Sequence, residues 1–323
     1  MTDINTQNQV QTFGDWATIA LGKHARKIFK YEANVLKDKA PEDLHQMRVG
    51  MRRLRTAIVG FDRAIDLPSS VTEKSIGKFA KTLGSLRDLD VLQEAISSQY
   101  QPLVSSPEQK QLDWVLKALK KRRKSSLKRV RDLLTGDRYK ALKQDLQKWI
   151  ARPKYETIAQ VSIDAVLPDL LLPEMAYFLL HPGWWLGVEL TAGTVSFHDP
   201  LDPEAVRELL ERQGLILHDL RKEAKRTRYQ MELFTDRYGE RYQTFVQQVK
   251  QVQDVLGQIQ DGFVFSEFLS DSLGTDVQTT MPELAARLTE TRYQQWQEWE
   301  KLQRLFLDTQ TRKDFRAIVE DKS

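Results

Sequence analysis

Apolar residues recur at intervals of three and four along most of the chain, which is the spacing of one face of an α-helix. In the first half, proline, glycine and polar segments divide this pattern into successive stretches of helical length. The predicted helices are Phe13 to about Lys39, Pro41 to about Ile65, Val71 to Ser97, Pro107 to Leu134 and Tyr139 to Ile150.

The same pattern returns after residue 200. Asp202 and Pro203 have the residue types of an N-cap and a first helical position, where the missing N–H of proline costs little. Gly214 is predicted to break the chain before the pattern continues. Further helices are predicted from about Ile216 to Phe234, Tyr238 to Ser272 and Pro282 to Leu307. The expected fold class is therefore all-α.

Residues 153–200 differ in character, being rich in proline and tryptophan with a Thr-, Gly- and Val-rich end. They predict a connector with a short helix and a hairpin. Proline and acidic residues interrupt its apolar part, Leu167 to Leu190, which favours packing against helices over a membrane span. The sequence thus predicts a first helical bundle over residues 1–152, a connector over 153–200 and a second bundle over 201–323.

Composition narrows the possible functions. A chain of 323 residues with 41% apolar and 29% charged residues is typical of an ordered, helix-rich protein large enough for two packed units. The absence of cysteine excludes disulfides, thiolate metal sites and cysteine nucleophiles. The first ten residues, MTDINTQNQV, lack the pattern of a secretory signal, so a cytoplasmic location is expected.

The net charge of +4 is unevenly distributed along the chain. Between Lys23 and Arg131 there are 25 Lys and Arg against 12 Asp and Glu, whereas from Asp236 to Ser323 there are 11 against 15. Such an asymmetry indicates an anionic partner attracted to one region of the surface.

One stretch of twelve residues occurs twice. The stretch from Leu44 to Arg55 resembles that from Leu217 to Arg228, at an offset of 173 residues. Without a gap, the same offset aligns Phe61 with Phe234, Leu83 and Gly84 with Leu256 and Gly257, and Asp88 with Asp261. This shared register predicts an internal duplication into two related helical halves.

Each copy of the repeat carries one histidine and three cationic residues at positions 0, 3, 7 and 10. The first row is His45, Arg48, Arg52 and Arg55, and the second row is His218, Arg221, Lys225 and Arg228. The spacing places each row on one stripe of a helix, while apolar residues form a separate stripe for the core. Because like charges at this spacing repel, their repetition favours an anion-binding face over a solvated one.

Other basic residues could extend these rows. The lysines among them form lines on three helices, and each line taken alone is typical of a solvent-exposed helix face. Together they form a basic region that could follow a chain of phosphates, because Arg offers a fork of donors and Lys a mobile point charge. The candidates for additional binding are Lys23, Lys27, Lys30, Arg53, Lys78, Lys81, Lys121, Lys124, Lys128 and Arg226.

The two histidines could be core residues, metal ligands, general bases or anion contacts. Metal binding is the least favoured of these roles, because the neighbouring cations would repel a metal ion. No catalytic residue, metal or other cofactor is predicted. Nearby arginines are expected to lower the pKa of His45 and His218, and a bound phosphate to raise it, so anion binding should be linked to proton uptake.

At these two blocks the sequence resembles the CHAD family, whose name abbreviates "conserved histidine α-helical domain". The resemblance extends from about Phe13 to Leu307 and rests on the histidine followed by Arg and Lys at helical spacing, once in each half. It implies two similar helical bundles related by pseudo-twofold symmetry, whose basic helices face a central pore or groove that takes up inorganic polyphosphate. It also implies a link to polyphosphate granules, with the binding role on the two rows.

Three classes of function compete on these grounds. An enzyme is disfavoured, because the chain lacks a Glu-x-Glu-x-Lys motif, a Gly-rich phosphate loop and paired acidic residues suited to Mg²⁺. A nucleic-acid-binding protein is the first alternative to a polyphosphate-binding one, although the rows carry few aromatic residues for base stacking. A scaffold for acidic proteins is the second, with Trp184, Trp185, Trp296 and Trp299 either as anchors or, more simply, as core residues.

Overall fold

The computed structural model describes residues 11–191, 194–197 and 201–320. The first ten residues, on which the expectation about a signal segment rests, lie outside these ranges. The described part is helical over most of its length, so the all-α class is confirmed. Its α-helices are α1 (Phe13–Lys37), α2 (Pro41–Gly60), α3 (Glu73–Glu94), α4 (Ser106–Thr135), α5 (Asp137–Ala151), α6 (Ile163–Leu180), α7 (Pro203–Glu232), α8 (Glu240–Leu273), α9 (Val277–Thr280), α10 (Pro282–Leu307) and α11 (Thr309–Ala317).

The chain forms two compact units. Of the described residues, unit 1 contains those up to Asp90 together with Arg122–Leu170, and unit 2 contains Val91–Lys121 together with those from Leu171 onward. Residues 91–121, which belong to the first predicted half, thus group with unit 2. Their attachment is visible at Glu108, a buried carboxylate on α4 that accepts hydrogen bonds from the backbone N–H groups of Glu283 and Leu284 at the start of α10.

Unit 1 is built around the pair α1 and α2. A capping box at Thr12 and Asp15 starts α1, and Asp38 ends it in a left-handed conformation with φ of 52°. The two helices approach closely at Gly50, where a Cβ would lie 2.9 Å from Cγ1 of Ile28. A larger residue at this position would force the two helices apart. Gly50 therefore allows the close approach of α2, the helix that carries the first row, to α1.

A partly buried ion cluster ties three helices of unit 1 together. The guanidinium of Arg123 on α4 donates to both carboxylate oxygens of Asp38 at 2.7 Å and to Asp90, at the end of α3, at 2.6 Å. The Asp90 side chain is only 4% exposed. A carboxylate this deeply buried needs its cation, so Arg123 holds the ends of α1 and α3 against α4.

Unit 2 is organised by α7, α8 and α10 around an aromatic core. Trp184 stacks on Trp299 with ring centroids 5.1 Å apart, and Gln303 donates to the carbonyl oxygens of Trp184 and Leu186. Trp184, Trp296 and Trp299 are buried, which confirms their interpretation as core residues, whereas Trp185 is half-buried.

The predicted break at Gly214 is wrong. Helix α7 continues through Gly214 from Pro203 to Glu232. Nothing lies within 4 Å of a Cβ built at this glycine. A single glycine costs an exposed helix about 1 kcal/mol, which the buried residues Val206, Leu210 and Leu217 on either side of it offset.

The predicted connector contains α6 and a hairpin, as expected. The hairpin strands are β1 (Val188–Thr191) and β2 (Thr194–Phe197), and the two residues between them lie outside the described ranges. Helix α6 is longer than expected, because it continues through Pro168 and Pro173. Buried Leu167, Leu171 and Met175 line one of its faces, and their burial offsets the roughly 3 kcal/mol cost of a proline within a helix. None of the helices in the described ranges is long and apolar enough to span a membrane.

Candidate anion-binding site

The first row lies on α2, as the spacing predicts. His45, Arg48 and Arg52 are half-buried, and Arg55 is exposed. A separate stripe of α2, which includes Met47, Met51 and Leu54, is buried in the core of unit 1. The cations are therefore not needed to fill the core.

The arginines of the first row lie along α3. A Cβ at Gly84 would be 3.3 Å from Nε of Arg48, and one at Gly77 would be 3.7 Å from Nε of Arg55. The missing side chain at Gly84 lets the guanidinium of Arg48 lie close to the α3 backbone, whereas the distance at Gly77 is an ordinary van der Waals contact. Arg55 donates from Nε to Glu73 at 2.8 Å.

The second row lies on α7, and Arg221 in it has surroundings like those of Arg48. A Cβ at Gly257 on α8 would be 3.1 Å from Nε of Arg221. Asp261, one helical turn beyond that glycine, lies 3.8 Å from Arg221, and Asp88 lies 4.0 Å from Arg48. Each unit thus places one arginine of its row over a glycine and beside an exposed carboxylate, at positions related by the offset of 173.

The two rows differ at their last member. Arg55 has a side chain 52% exposed, whereas that of Arg228 is 9% exposed. Arg228 lies over the ring of Tyr229, 4.4 Å from its centroid, and 3.7 Å from Glu232. The position that corresponds to Gly77 is occupied in unit 2 by Lys250, which is paired with Asp254. Arg228 is thus the buried last member of its row, beside Tyr229 and Glu232.

Both row histidines have a lowered pKa, which favours the neutral imidazole. The pKa of His45 is lowered mainly by partial burial, and that of His218 by the same cause. Cationic neighbours add to this effect, and the acidic residues nearby oppose it. The cations are Arg87, Arg52 and Arg48 for His45, and Lys222, Arg221 and Lys225 for His218; the opposing carboxylates are Glu42 and Asp219.

The two arginines next to the rows have other partners. Arg226 donates at 2.6 Å to Glu174, whose side chain is nearly buried, and lies near the ring of Tyr177. Arg53 lies at the seam of α1 and α2, where its charge helps burial to lower the pKa of His24 to about 4. Both arginines thus lie off the rows, as the helical spacing predicts.

The remaining candidates are distributed over three helices. On α1, Lys23 and Lys30 are exposed and Lys27 is half-buried; burial and the charge of Arg53 lower the pKa of Lys27. On α3, Lys78 lines a cavity of about 620 Å³ with Ser75 and Arg138, which contains no residue of the first row. The other candidates are all exposed: Lys81 on α3, and Lys121, Lys124 and Lys128 on α4.

The glycines and carboxylates opposite the rows were not recognised as site residues from the sequence. Gly84 and Gly257, and Asp88 and Asp261, are identical pairs in the repeat, and this was the available signal. The described residues include no group of three or more His, Asp and Glu side chains that could hold a metal ion. The site is thus a set of cations on two helices, in which Arg48 and Arg221 each lie beside one glycine and one carboxylate.

Fold and repeat together define an all-helical domain in which each of the two units carries one basic row on a helix. The sequence profile of the CHAD domain matches residues 19–270, so the chain belongs to the CHAD-domain family. Polyphosphate binding is a known property of this family.

Two solved structures share the fold. The CHAD domain from the plant Ricinus communis has 20% identity and a TM-score of 0.62, with 98% of this chain and 95% of that chain covered. PptA from Streptomyces chartreusis has 14% identity and a TM-score of 0.56, with 96% and 100% covered. No curated protein sequence matches that of this chain.

Proposed function

We propose that this protein binds inorganic polyphosphate through the two rows. The observation that carries the proposal is the matched placement of Arg48 and Arg221, each extended over a glycine beside an exposed aspartate. A guanidinium held in this way presents its donors to phosphate oxygens without first having to be ordered. The known property of the family supports the same ligand.

We further propose that the two rows descend from an internal duplication and face one pore or groove. The register of the repeat and the two similar arginine environments support the duplication. The CHAD domain is generally a binding domain, and we propose binding without catalysis for this chain. The biological role would be to bring the protein to polyphosphate granules in the cytoplasm.

The test of the proposed function is competition between polymers. Wild-type protein is titrated with long-chain polyphosphate by calorimetry at two salt concentrations, with single-stranded DNA, RNA and heparin as competitors at equal charge concentration. Polyphosphate should prevail, because rows of cations without aromatic platforms favour phosphates without bases. If nucleic acid binds as tightly as polyphosphate or more tightly, the proposed ligand is wrong and nucleic acid takes its place.

Affinity for polyphosphate should increase as the pH falls from about 7.5 to 6. In the unliganded protein both row histidines have a lowered pKa and are neutral. A bound phosphate raises the pKa of an adjacent imidazole, so the complex takes up protons and is favoured at lower pH. Calorimetry at constant salt measures this slope. His45→Gln with His218→Gln should flatten it, and an unchanged slope in that variant would exclude the histidines as its source.

Removing the aspartates beside the rows should strengthen binding. Asp88 and Asp261 are exposed and lie 4.0 Å from Arg48 and 3.8 Å from Arg221, respectively. Their negative charges therefore repel an incoming polyanion. Asp88→Asn with Asp261→Asn should raise the affinity about threefold to tenfold at low salt. The matched control is Asp169→Asn with Asp271→Asn, two exposed carboxylates outside the repeat. An equal gain in the control would show that only net charge matters.

A further inference from the structure

The densest positive charge of the chain lies on α4, outside both rows. Residues 117–131 contain nine Lys and Arg and no Asp or Glu. Five of these cations recur at helical steps of three and four and form what we call the α4 stripe: Lys117, Lys121, Lys124, Lys128 and Arg131. At 1.5 Å per residue the stripe is about 21 Å long.

The α4 stripe is exposed and largely without counter-charges. All five of its side chains are exposed, while Val115, Leu119 and Val130 bury the opposite side of the helix. Arg131 donates to the backbone carbonyl of Leu36. Within the described part of the chain, none of the four lysines forms an ion pair.

Packing of the helix does not explain the stripe. Arg123 lies on the same helix but off the stripe, and there Asp38 and Asp90 neutralise it. The stripe has no such partners, and its neighbouring like charges weaken the helix by a few tenths of a kcal/mol per pair. The four lysines of the stripe, which form no ion pair in the described part of the chain, therefore have the properties of a binding surface, and only Arg131 ties the stripe to α1.

We propose that the α4 stripe is a second binding segment for the same long polyphosphate chain that the rows hold. The inference rests on the proposed function. A line of mobile lysine charges suits a linear polymer with a charge on every unit. The exposed side chain of Trp114 lies at one end of the stripe. A single ring does not provide the successive stacking platforms of single-strand binders, so polyphosphate is favoured over nucleic acid.

The consequence of this arrangement is selection by chain length. A chain held at a row and long enough to reach the stripe meets it at a high effective concentration, and the two contacts reinforce each other. A short chain occupies one site at a time and gains nothing from the other. The protein therefore distinguishes long polyphosphate from short polyphosphate with the same chemistry.

The experiment compares tripolyphosphate with long-chain polyphosphate by calorimetry. The variant carries Lys117→Gln, Lys121→Gln, Lys124→Gln and Lys128→Gln. Its long-chain affinity should fall at least about tenfold, and its dependence of log K on log salt should be shallower by about 3. Its tripolyphosphate affinity should stay within about twofold, because the rows are intact. The matched control is Lys140→Gln, Lys148→Gln, Lys301→Gln and Lys313→Gln, four exposed lysines elsewhere, which should leave both affinities unchanged.

Three results would overturn the proposal: an unchanged long-chain affinity in the stripe variant, an equal loss in the control, or a loss of tripolyphosphate affinity equal to the long-chain loss. If single-stranded DNA binds the stripe more tightly than polyphosphate at equal charge concentration, the ligand of the stripe is nucleic acid. Failure of the proposed function has a different signature. In that case the variant with Arg48→Ala and Arg221→Ala binds tripolyphosphate as tightly as wild type does. If wild type binds neither polymer, both proposals are wrong.

Discussion

Replacing the central cations of both rows should abolish most polyphosphate binding. The variant carries Arg48→Ala, Arg52→Ala, Arg221→Ala and Lys225→Ala. Each removed contact is a charge-assisted hydrogen bond of about 1 kcal/mol at a half-exposed site, so affinity should fall on the order of 1,000-fold. The salt dependence of log K should become shallower by about 3, one decrement of roughly 0.7 for each lost phosphate contact. Calorimetry at two salt concentrations measures both quantities.

The control for this variant must remove equal charge without touching the rows. Alanine at Lys140, Lys148, Lys301 and Lys313, all exposed, should change the affinity by less than about threefold, because distant exposed charges are screened by salt. Thermal melting of both variants shows that the fold persists. Tight binding by a folded row variant would move the site away from α2 and α7.

Arg123→Ala should destabilise the fold more than the loss of any cation in the two rows. It removes three hydrogen bonds and leaves Asp90, whose side chain is 4% exposed, without its cation. Loss of one partner from a buried pair costs about 3 kcal/mol of unfolding free energy. Urea denaturation measures this loss. Arg129→Ala, an exposed residue on the same helix, should change stability by less than about 0.5 kcal/mol.

The pH dependence of this loss gives a second readout. The hydrogen bond with Arg123 lowers the pKa of Asp38 from its ordinary value of 3.8. A carboxylate with a lowered pKa in the folded state stabilises the protein above that ordinary value, and this contribution is lost as the pH falls through the lowered pKa. The difference between wild type and Arg123→Ala should therefore narrow below about pH 4. A constant difference down to about pH 3 would mean that Asp38 does not share the cation.

Local spacing predicted most helices and both rows. The start of α1 at Phe13 followed from apolar periodicity, and that of α2 from Pro41 at the first helical position, and both signals depend on neighbours in sequence. The Gly214 break failed for the reason that such signals are local. The sequence reveals that a glycine destabilises a helix. It does not reveal which neighbouring residues are buried and outweigh this cost, because that depends on the core.

Within the site, the sequence identified the cations but not their surroundings. His45 and Arg48 follow from the spacing, yet only packing shows that Arg48 lies over Gly84. That Arg228 is buried while Arg55 is exposed is also visible only in the structure. Likewise Glu174 pairs with Arg226 from a different helix, across 52 positions of the chain.

The sequence by itself determined the helical class, the repeat at an offset of 173 and the presence of two rows of cations. These properties are visible as regular spacings of residue types. The backbone geometry of a few helical turns sets such spacings, so they do not depend on distant parts of the chain. The tertiary structure decided which cations face solvent, which are neutralised by carboxylates, and that residues 91–121 join unit 2. Burial and ion pairing depend on which side chains distant segments bring opposite each other, and helical spacing does not contain that information.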